Sequence, residues 1–291
     1  SHEATLFAEP IAQAGAFPIT NALVTSWAAV LIIIALSIAI RSVLKSVPGK
    51  LQHAFEIFIE GALSIGAQVT NNRKITEKVF PVVAAVFFFV LINNWLGLLP
   101  LGGLGLIQHG SFIPFLRSGT ADINTTLALA VIAVIGANIF GIMAIGGWKM
   151  FNKYVNLKAL TSAIKNIRKE PTGLIVAPIK LFVGIIEIVG EAAKVASLSF
   201  RLFGNVFAGE VLLASMGALI AYAVPIPFLL LEIIVGIVQA FIFAMLTVVY
   251  FTIAASDHDH DEHDAHNAHD GHHSLPKSSN SNEEIKVAIS N

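Results

Sequence analysis

The sequence contains no cysteine and few charged residues. The absence of cysteine among its 291 residues excludes disulfides, thiolate metal sites and cysteine nucleophiles. Only 13% of the residues are charged, whereas 55% are hydrophobic. A phosphate-binding loop or other nucleotide motif is also missing. We therefore expect an integral membrane protein that holds no cofactor and no metal ion, binds no nucleic acid and performs no nucleotide chemistry of its own.

Five apolar runs are long enough to cross a bilayer, which takes about 20 residues. They cover residues 19–40, 79–99, 125–145, 176–223 and 228–255. As one helix the fourth run would be about 70 Å long, more than twice the roughly 30 Å thickness of the hydrocarbon. We expect it to tilt steeply or to kink at Gly204 or Gly209. With the fifth run it would form a hairpin over residues 176–255 that turns at Pro225 and Pro227.

The expected fold is an all-α membrane protein in three parts. Residues 1–18 form an N-terminal arm, residues 19–255 the membrane domain and residues 256–291 a tail. Polar side chains at every fourth position of residues 51–69 predict an amphipathic helix on the membrane surface. They are Gln52, Glu56, Glu60, Ser64 and Gln68. The glycine-rich segment 101–120 predicts an irregular loop.

The basic loops set the expected orientation. Residues 149–169 contain six basic residues and no acidic one, and Arg41, Lys45 and Lys50 follow the first run. Basic loops stay on the cytoplasmic side, or on the matrix or stromal side in an organelle. Five crossings then place the N-terminus outside and the C-terminus inside.

The tail after Ala255 is rich in histidine and aspartate. Its composition predicts disorder, and no fixed geometry follows from a low-complexity tract. Seven histidines among acidic residues could hold zinc or nickel weakly, but we favour a solvated tail that is neutral for function.

Arg201 lies inside the fourth apolar run, where a charge is costly. A guanidinium keeps its proton in a protein, and a charge at the bilayer centre costs at least about 2.5–3.5 kcal/mol. On a helix, Arg201 shares one face with four other polar side chains: Glu187, Glu191, Lys194 and Asn205. One interpretation is a structural cluster, in which Glu191 and Lys194 pair and Arg201 joins them. We favour an ion pathway interrupted by a fixed positive charge, because ionisable groups inside a membrane usually serve function.

The fifth run carries a second polar stripe, formed by Glu232, Gly236, Gln239 and Tyr250. A glutamine in a membrane helix is commonly a hydrogen-bonding link between helices. Because this helix faces the one that bears Arg201, we interpret Gln239 as a partner that holds the guanidinium.

Four short segments resemble the a-subunits of F-type ATP synthases. They are N-N-W-L-G-L-L-P at 93–100, A-D-I-N-T-T at 121–126, R-L-F-G-N-x-x-A-G-E at 201–210 and V-Q-A-F-I-F at 238–243. The pairing of the last two is highly specific, and the resemblance extends over roughly residues 20–255.

This resemblance implies the stator half of a rotary proton channel that works against a ring of small hairpin subunits, the c-ring. In such a-subunits a ring carboxylate takes a proton from one half-channel, turns almost a full circle through lipid and releases it into a second. Arg201 would separate the two half-channels. The implied partners are the c-ring, b-type peripheral-stalk subunits and membrane lipid, with ATP chemistry on other subunits. The implied location is the bacterial inner membrane, or alternatively the mitochondrial inner or thylakoid membrane.

The resemblance also assigns polar residues to the two half-channels. Those of the outer half-channel are Glu210, Glu232, Asn205, Gln239 and Asp122, and those of the inner one are Glu187 and Ser197. Asp122 immediately precedes the third run, where the local sequence favours a helix N-cap. The two roles of Asp122 are compatible.

One position departs from the family pattern, since some members have histidine where this chain has Glu232. Glu210 and Glu232 would then share the entry site, which suits a proton relay but also allows a metal or sodium ion, so the coupling ion stays open. A turn at Pro225 and Pro227 leaves roughly 15 Å of axial offset between the two glutamates in an ideal hairpin. Direct contact between them is therefore not guaranteed. A steep tilt, a bend near Gly209 or an intervening chain of water molecules could close the gap, and the resemblance favours a shared aqueous entry.

Two other functions are compatible with a membrane protein. A secondary transporter with a midplane site would show two related halves with interrupted helices, and the sequence contains no such repeat. A membrane-anchored metal binder could use the histidine-rich tail, but this leaves Arg201 and the glutamates around it unexplained.

Overall fold

The computed structural model of the protein describes residues 8–14, 17–43, 49–99, 105–108, 111–114, 117–146, 173–219 and 225–255. The helices in these residues are α1 Asn21–Val43, α2 Lys50–Thr70, α3 Arg73–Leu98, α4 Ile123–Ile145, α5 Gly173–Leu219 and α6 Pro225–Ala255. The strands are β1 Pro10–Ala14, β2 Phe17–Thr20, β3 Gly105–Gln108 and β4 Ser111–Pro114, and a 3₁₀ turn covers Gly119–Ala121. The tail 256–291 and the basic loop 149–169 lie outside the described residues.

Four helices are long and apolar enough to cross a membrane, namely α1, α3, α4 and α6. They correspond to four of the five predicted crossings, and the described chain is mostly helical, consistent with the expected all-α class. The remaining run is α5, an unbroken helix of 47 residues.

Two short β-hairpins were not expected from the sequence. In the N-terminal arm β1 pairs antiparallel with β2, and the Asn21 amide donates a hydrogen bond of 3.1 Å to the Glu9 carbonyl. Strands β3 and β4 pair antiparallel within the segment that we expected to be an irregular loop. That expectation was wrong for these strands, because runs of four residues are too short for hydrophobic periodicity to reveal.

Helix α2 confirms the amphipathic helix predicted over residues 51–69. Its polar face carries a hydrogen bond of 2.9 Å from Gln52 to Glu56, and Glu60 pairs with Arg73 at 3.0 Å. A tight corner joins α2 to α3, where Asn71 adopts a left-handed conformation and the Asn72 side chain caps α3. The position of α2 on a membrane surface stays a prediction.

The apolar core lies where α3, α4, α5 and α6 meet. One cluster joins Val79 and Val83 to Phe251, and a second joins Val90 to Leu202 and neighbouring side chains. Alanine is frequent in both clusters, at Ala130, Ala133, Ala137, Ala240 and Ala244. Small side chains let helix backbones approach closely, so this packing fixes which face of α5 is buried.

A buried polar network attaches the 3₁₀ turn to α3. Ser118 donates a hydrogen bond of 3.2 Å to the Asn93 carbonyl, and Thr120 donates one of 2.6 Å to the Asn94 side chain. At Gly97 the two segments touch so closely that an added Cβ would overlap Ser118, including its backbone atoms. The network therefore holds the start of segment 117–121 against α3.

We predict that Gly97→Ala destabilises the protein, because a methyl group at this position has to displace backbone atoms of Ser118. Overpacking of this kind costs about 1–3 kcal/mol. The thermal unfolding temperature of the detergent-solubilised protein should fall. The matched control is Gly61→Ala in α2, where an added Cβ meets no atom within 4 Å and should be neutral or mildly stabilising. Equal stability of both variants would contradict the close contact at Gly97.

Candidate functional site

Helix α5 turns Arg201 away from the core. Leu198, Ser199 and Leu202 are at most 1% exposed and face the neighbouring helices, whereas Phe200 is 60% exposed and Arg201 is also exposed. The guanidinium lies 3.5 Å from the Ser197 hydroxyl, at the limit of a hydrogen bond. Within the described part of the chain, no carboxylate lies at salt-bridge distance from Arg201. The permanent charge is therefore free to meet a group outside this chain.

Asn205 and Gln239 bond to each other across the hairpin. The Asn205 amide nitrogen donates a hydrogen bond of 2.8 Å to the Gln239 amide oxygen. Gln239 is only 2% exposed, and its own amide nitrogen has no partner among the described residues. The expected bond from Gln239 to the guanidinium is absent from the described residues, since the Gln239 amide oxygen accepts from Asn205 instead. Gln239 instead links α6 to the residue one helical turn after Arg201.

Glu191 and Lys194 form the expected pair within α5, at 2.7 Å. Asn138 of α4 donates a hydrogen bond of 3.3 Å to Glu191, and the Lys194 ammonium lies 5.6 Å from the centre of the Tyr250 ring. Arg201 does not join this pair, so the purely structural interpretation of the whole stripe is wrong.

Glu187 lies on the same helix, fourteen residues before Arg201, which corresponds to about 21 Å along the axis. At this distance the two side chains cannot meet directly. Any functional link between them requires intervening groups.

Glu210 is held by Arg117, a contact that the sequence analysis missed. The Arg117 Nε donates to both carboxylate oxygens at 3.1 Å, and Nη2 donates to Oε2 at 3.0 Å. The Arg117 side chain is 4% exposed and that of Glu210 is 33% exposed. The sequence held one signal for this contact, since Arg117 is the only basic residue in the segment between β4 and α4.

The bidentate pair is energetically important because the arginine is buried. Removing one partner of a buried ion pair leaves the other charge uncompensated and typically costs about 3–5 kcal/mol. Arg117 comes directly before Ser118, which the polar network fixes to α3. The pair therefore ties α5 to the segment that enters α4.

Glu232 lies directly against α5, one residue from Glu210. A Cβ added at Gly209 would overlap the Glu232 carboxylate. The expected axial offset of roughly 15 Å between Glu210 and Glu232 was therefore wrong. Pro225 is the first residue of α6 and not the turn, since proline fits the first helical turn, where amides lack partners. With α5 ending at Leu219, both glutamates lie at similar distances from the ends of their helices.

A cavity of about 160 Å³ joins the two carboxylates. It has room for several water molecules, because one water needs about 10–15 Å³ of such space. Its lining combines polar and apolar side chains from α3, α5, α6 and the segment before the 3₁₀ turn: Asn94, Gly97, Leu98, Ser118, Val206, Glu210, Leu213 and Glu232. A small cavity with two carboxylates in its wall can hold water and exchange protons with it.

Asp122 confirms the expected N-cap of α4. Its side chain accepts a hydrogen bond of 3.2 Å from the Asn124 amide, and the residue is 6% exposed. It does not line the cavity of Glu210 and Glu232. One turn later, Thr126 and Ser199 are 3.2 Å apart and link α4 to α5.

The predicted site residues thus fall into separate groups. The structure brings Glu210 together with Glu232, Asn205 with Gln239, and Arg201 with Ser197. It leaves Asp122 and Glu187 apart from these pairs. Across the described ranges, no group of three or more histidine, aspartate or glutamate residues is arranged to hold a metal ion.

Comparisons with known proteins agree with the motifs and with the apolar helices. The family model for the ATP synthase A chain matches residues 23–252. ATP synthase subunit a of Gloeobacter violaceus is 34% identical over 241 residues, which cover 81% of this chain and 84% of that protein. Subunit a of Mycobacterium ulcerans is 33% identical over 255 residues, 83% of this chain and 89% of the relative. Subunit a of Campylobacter concisus is 31% identical over 232 residues, 79% and 88% of the two chains.

These matches extend over the helices that carry Arg201, Glu210, Glu232 and Gln239, and they confirm the resemblance found in the sequence. The protein belongs to the ATP synthase subunit a family and is an integral membrane subunit of that complex, with a part in ATP synthesis and ion transport.

Proposed function

We propose that the chain is the proton-conducting stator of a rotary F-type ATP synthase, with two offset half-channels separated by Arg201. The observation that carries this proposal is the exposed guanidinium of Arg201, which has no carboxylate partner among the described residues of its own chain. The natural counter-charge is a carboxylate on the c-ring. In this arrangement α5 also crosses the membrane, with a steep tilt, and brings the number of spans to five.

The face of α5 around Arg201 suits a close moving partner. Arg201, Gly204, Asn205 and Ala208 form an exposed strip along one side of the helix. An added Cβ at Gly204 meets no atom within 4 Å, so none of the described residues fills the space above it. Small residues allow helices to approach closely in a membrane, and the strip therefore offers the ring a smooth surface interrupted by one charge.

The charge of Arg201 favours release of the proton from each ring carboxylate that approaches it. A permanent cation attracts an ionised carboxylate and disfavours the protonated form, so each ring site releases its proton before it passes. A proton cannot cross a group that never deprotonates, which prevents a leak between the half-channels. The driving force is about 2.3 kcal/mol per elementary charge per 100 mV.

The cavity between Glu210 and Glu232 is the proposed core of the outer half-channel. Glu210 follows Arg201 by nine residues, about 13 Å along α5, so the cavity lies to one side of the charge. Asn205 and Gln239 lie between the cavity and Arg201 on their helices, and Asp122 extends the polar route at the start of α4. Glu187 and Ser197, on the other side of Arg201, line the proposed inner half-channel.

The proposed partners are the c-ring, b-type peripheral-stalk subunits and membrane lipid. The proposed location is the bacterial inner membrane. ATP chemistry belongs to other subunits, because the sequence contains no nucleotide motif.

We predict that Arg201→Ala abolishes ATP-driven proton pumping while the complex still assembles, because the ring carboxylates lose the charge that forces proton release. Arg201→Lys should also fail substantially, since an ammonium is compact and can deprotonate when it loses water. Pumping is measured by quenching of a pH-sensitive dye in membrane vesicles. Arg73→Ala is the control, because Arg73 is exposed and pairs only at the surface. Near-normal pumping by Arg201→Ala would contradict the stator role.

We predict that deletion of residues 257–291 leaves coupled ATP synthesis nearly intact. The tail lies outside the described residues and outside the match to the family model. Synthesis is measured in energised vesicles with and without a metal chelator, and the chelator should have no effect on the full-length chain. Loss of proton flux after the truncation, to the level of Arg201→Ala, would favour a metal site in the tail.

We predict that Glu210→Gln and Glu232→Gln each slow proton entry and that the double variant is no slower than the more damaging single one. Residues that act through one cavity are not additive. Passive proton flux through vesicles stripped of the catalytic head measures the effect, with Glu60→Gln on the exposed face of α2 as the control. Independent, multiplicative losses would show that the two glutamates do not act through one cavity.

A further inference from the structure

The two carboxylates of the cavity have different surroundings. Both oxygens of Glu210 accept hydrogen bonds from Arg117. Glu232 has no hydrogen bond and no ion pair with any described residue, and its carboxylate lies over the bare backbone of Gly209 at the cavity wall. Two glutamates that line the same cavity are thus chemically unequal.

We propose that Arg117 is a positioning residue that keeps Glu210 a permanent anion, so that Glu232 alone gains and loses the proton in this cavity. This inference rests on the proposed function, in which the cavity is part of the outer half-channel. In the step itself, a protonated water of the cavity transfers its proton to a Glu232 oxygen and becomes neutral water. Glu232 then releases that proton through the next water to the ionised ring carboxylate, and becomes an anion again.

The geometry of the Arg117 guanidinium disfavours a proton on Glu210. Two nitrogens of the planar group donate to the two oxygens at 3.0–3.1 Å, which is a bidentate pair. Protonation of either oxygen would replace a charge-assisted acceptor by a donor that faces another donor. Because a guanidinium keeps its proton, a proton on Glu210 would leave Arg117 as a buried cation without its counter-charge.

The residues that follow Arg117 in sequence fix its position through hydrogen bonds and close packing. The next residue, Ser118, donates to the Asn93 carbonyl and lies 2.7 Å from the Thr120 hydroxyl, which in turn bonds Asn94. Gly119 packs so tightly against Ser26 and Asn93 that a Cβ would overlap both. Arg117 therefore cannot swing away from Glu210 without disrupting this network.

The charges of the cavity follow from this arrangement. The charges of Arg117 and Glu210 cancel, so the net charge of the cavity changes only when Glu232 takes up or releases a proton. One exchanging group between two water contacts transfers one proton at a time. A second free carboxylate would instead share and retain protons with the first, because like charges that are this close cannot both ionise freely.

The test compares variants that remove one charge of the Arg117–Glu210 pair with a variant that removes both charges. Arg117→Gln, Glu210→Gln, the double variant Arg117→Gln/Glu210→Gln, Arg117→Lys and Glu232→Gln are placed in the complete ATP synthase. Passive proton flux is then measured in stripped vesicles under an imposed potential. Arg73→Gln is the matched control, because it is the same substitution in an exposed pair. Co-purification of the ring with each variant reports assembly.

We expect Arg117→Gln and Glu210→Gln each to lower the flux by at least about tenfold, since each leaves one charge unbalanced. The double variant should recover at least about tenfold over the worse single variant, because it removes both charges together. Arg117→Lys should lie between wild type and Arg117→Gln. Glu232→Gln should abolish the flux, also when it is added to the double variant.

Several results would overturn the inference. A double variant as slow as Glu210→Gln would show that Glu210 itself carries the proton, and failure of the double variant to assemble would show that the pair cannot be replaced by a neutral one. Wild-type flux in Arg117→Gln, or persistent flux in Glu232→Gln, would also contradict it. ATP-driven pumping by Arg201→Ala in the same membranes distinguishes failure of the proposed stator function from failure of the role of Arg117. If that variant still pumps, the proposed function fails, whereas its loss combined with no recovery in the double variant defeats only the role of Arg117.

Discussion

The arrangement of the protein depends on the packing of one face of α5 against α3, α4 and α6. Leu198 and Leu202 are buried in an apolar cluster with Val90 and Phe243, and this contact sets the rotation of α5 about its axis. Arg201 lies at the edge of this buried face, about 80° around the helix axis from the midpoint of the two leucines, and is exposed. Apolar packing thus leaves a charge that cannot be neutralised exposed at the surface of the described helices.

Some charged residues along α5 have an oppositely charged partner in this chain, and Arg201 differs from them. Glu191 and Glu210 are paired with cations of this chain, Lys194 and Arg117, whereas Arg201 has no carboxylate partner among the described residues. Pairing lowers the cost of placing charges in a poorly solvated region, although a buried pair adds little stability compared with apolar packing. The position where this compensation is missing is Arg201, to which the proposed function assigns the contact with the c-ring.

The polar contacts between helices connect the cavity to the rest of the fold. Asn94 takes part in the network of the 3₁₀ turn, donates a hydrogen bond of 3.4 Å to the Gly236 carbonyl and lines the cavity. The bond between Asn205 and Gln239 joins α5 to α6 beside Arg201. Hydrogen bonds between membrane helices contribute about 0.6 kcal/mol on average, so their main effect here is to fix geometry. The cavity and the exposed charge are therefore held in a defined relation.

The sequence by itself determined what depends on neighbours along the chain. Apolar length and helical periodicity predicted the spans, the pair Glu191–Lys194, the cap at Asp122 and the presence of Arg201 on a polar stripe, because all of these follow from local geometry. The tertiary structure decided which distant groups meet. Arg117 bonds Glu210 across 93 residues, and Glu232 reaches Gly209 because α6 begins at Pro225. The axial register of two helices depends on turn length and on side-chain packing between them. The local pattern of the sequence does not determine that register.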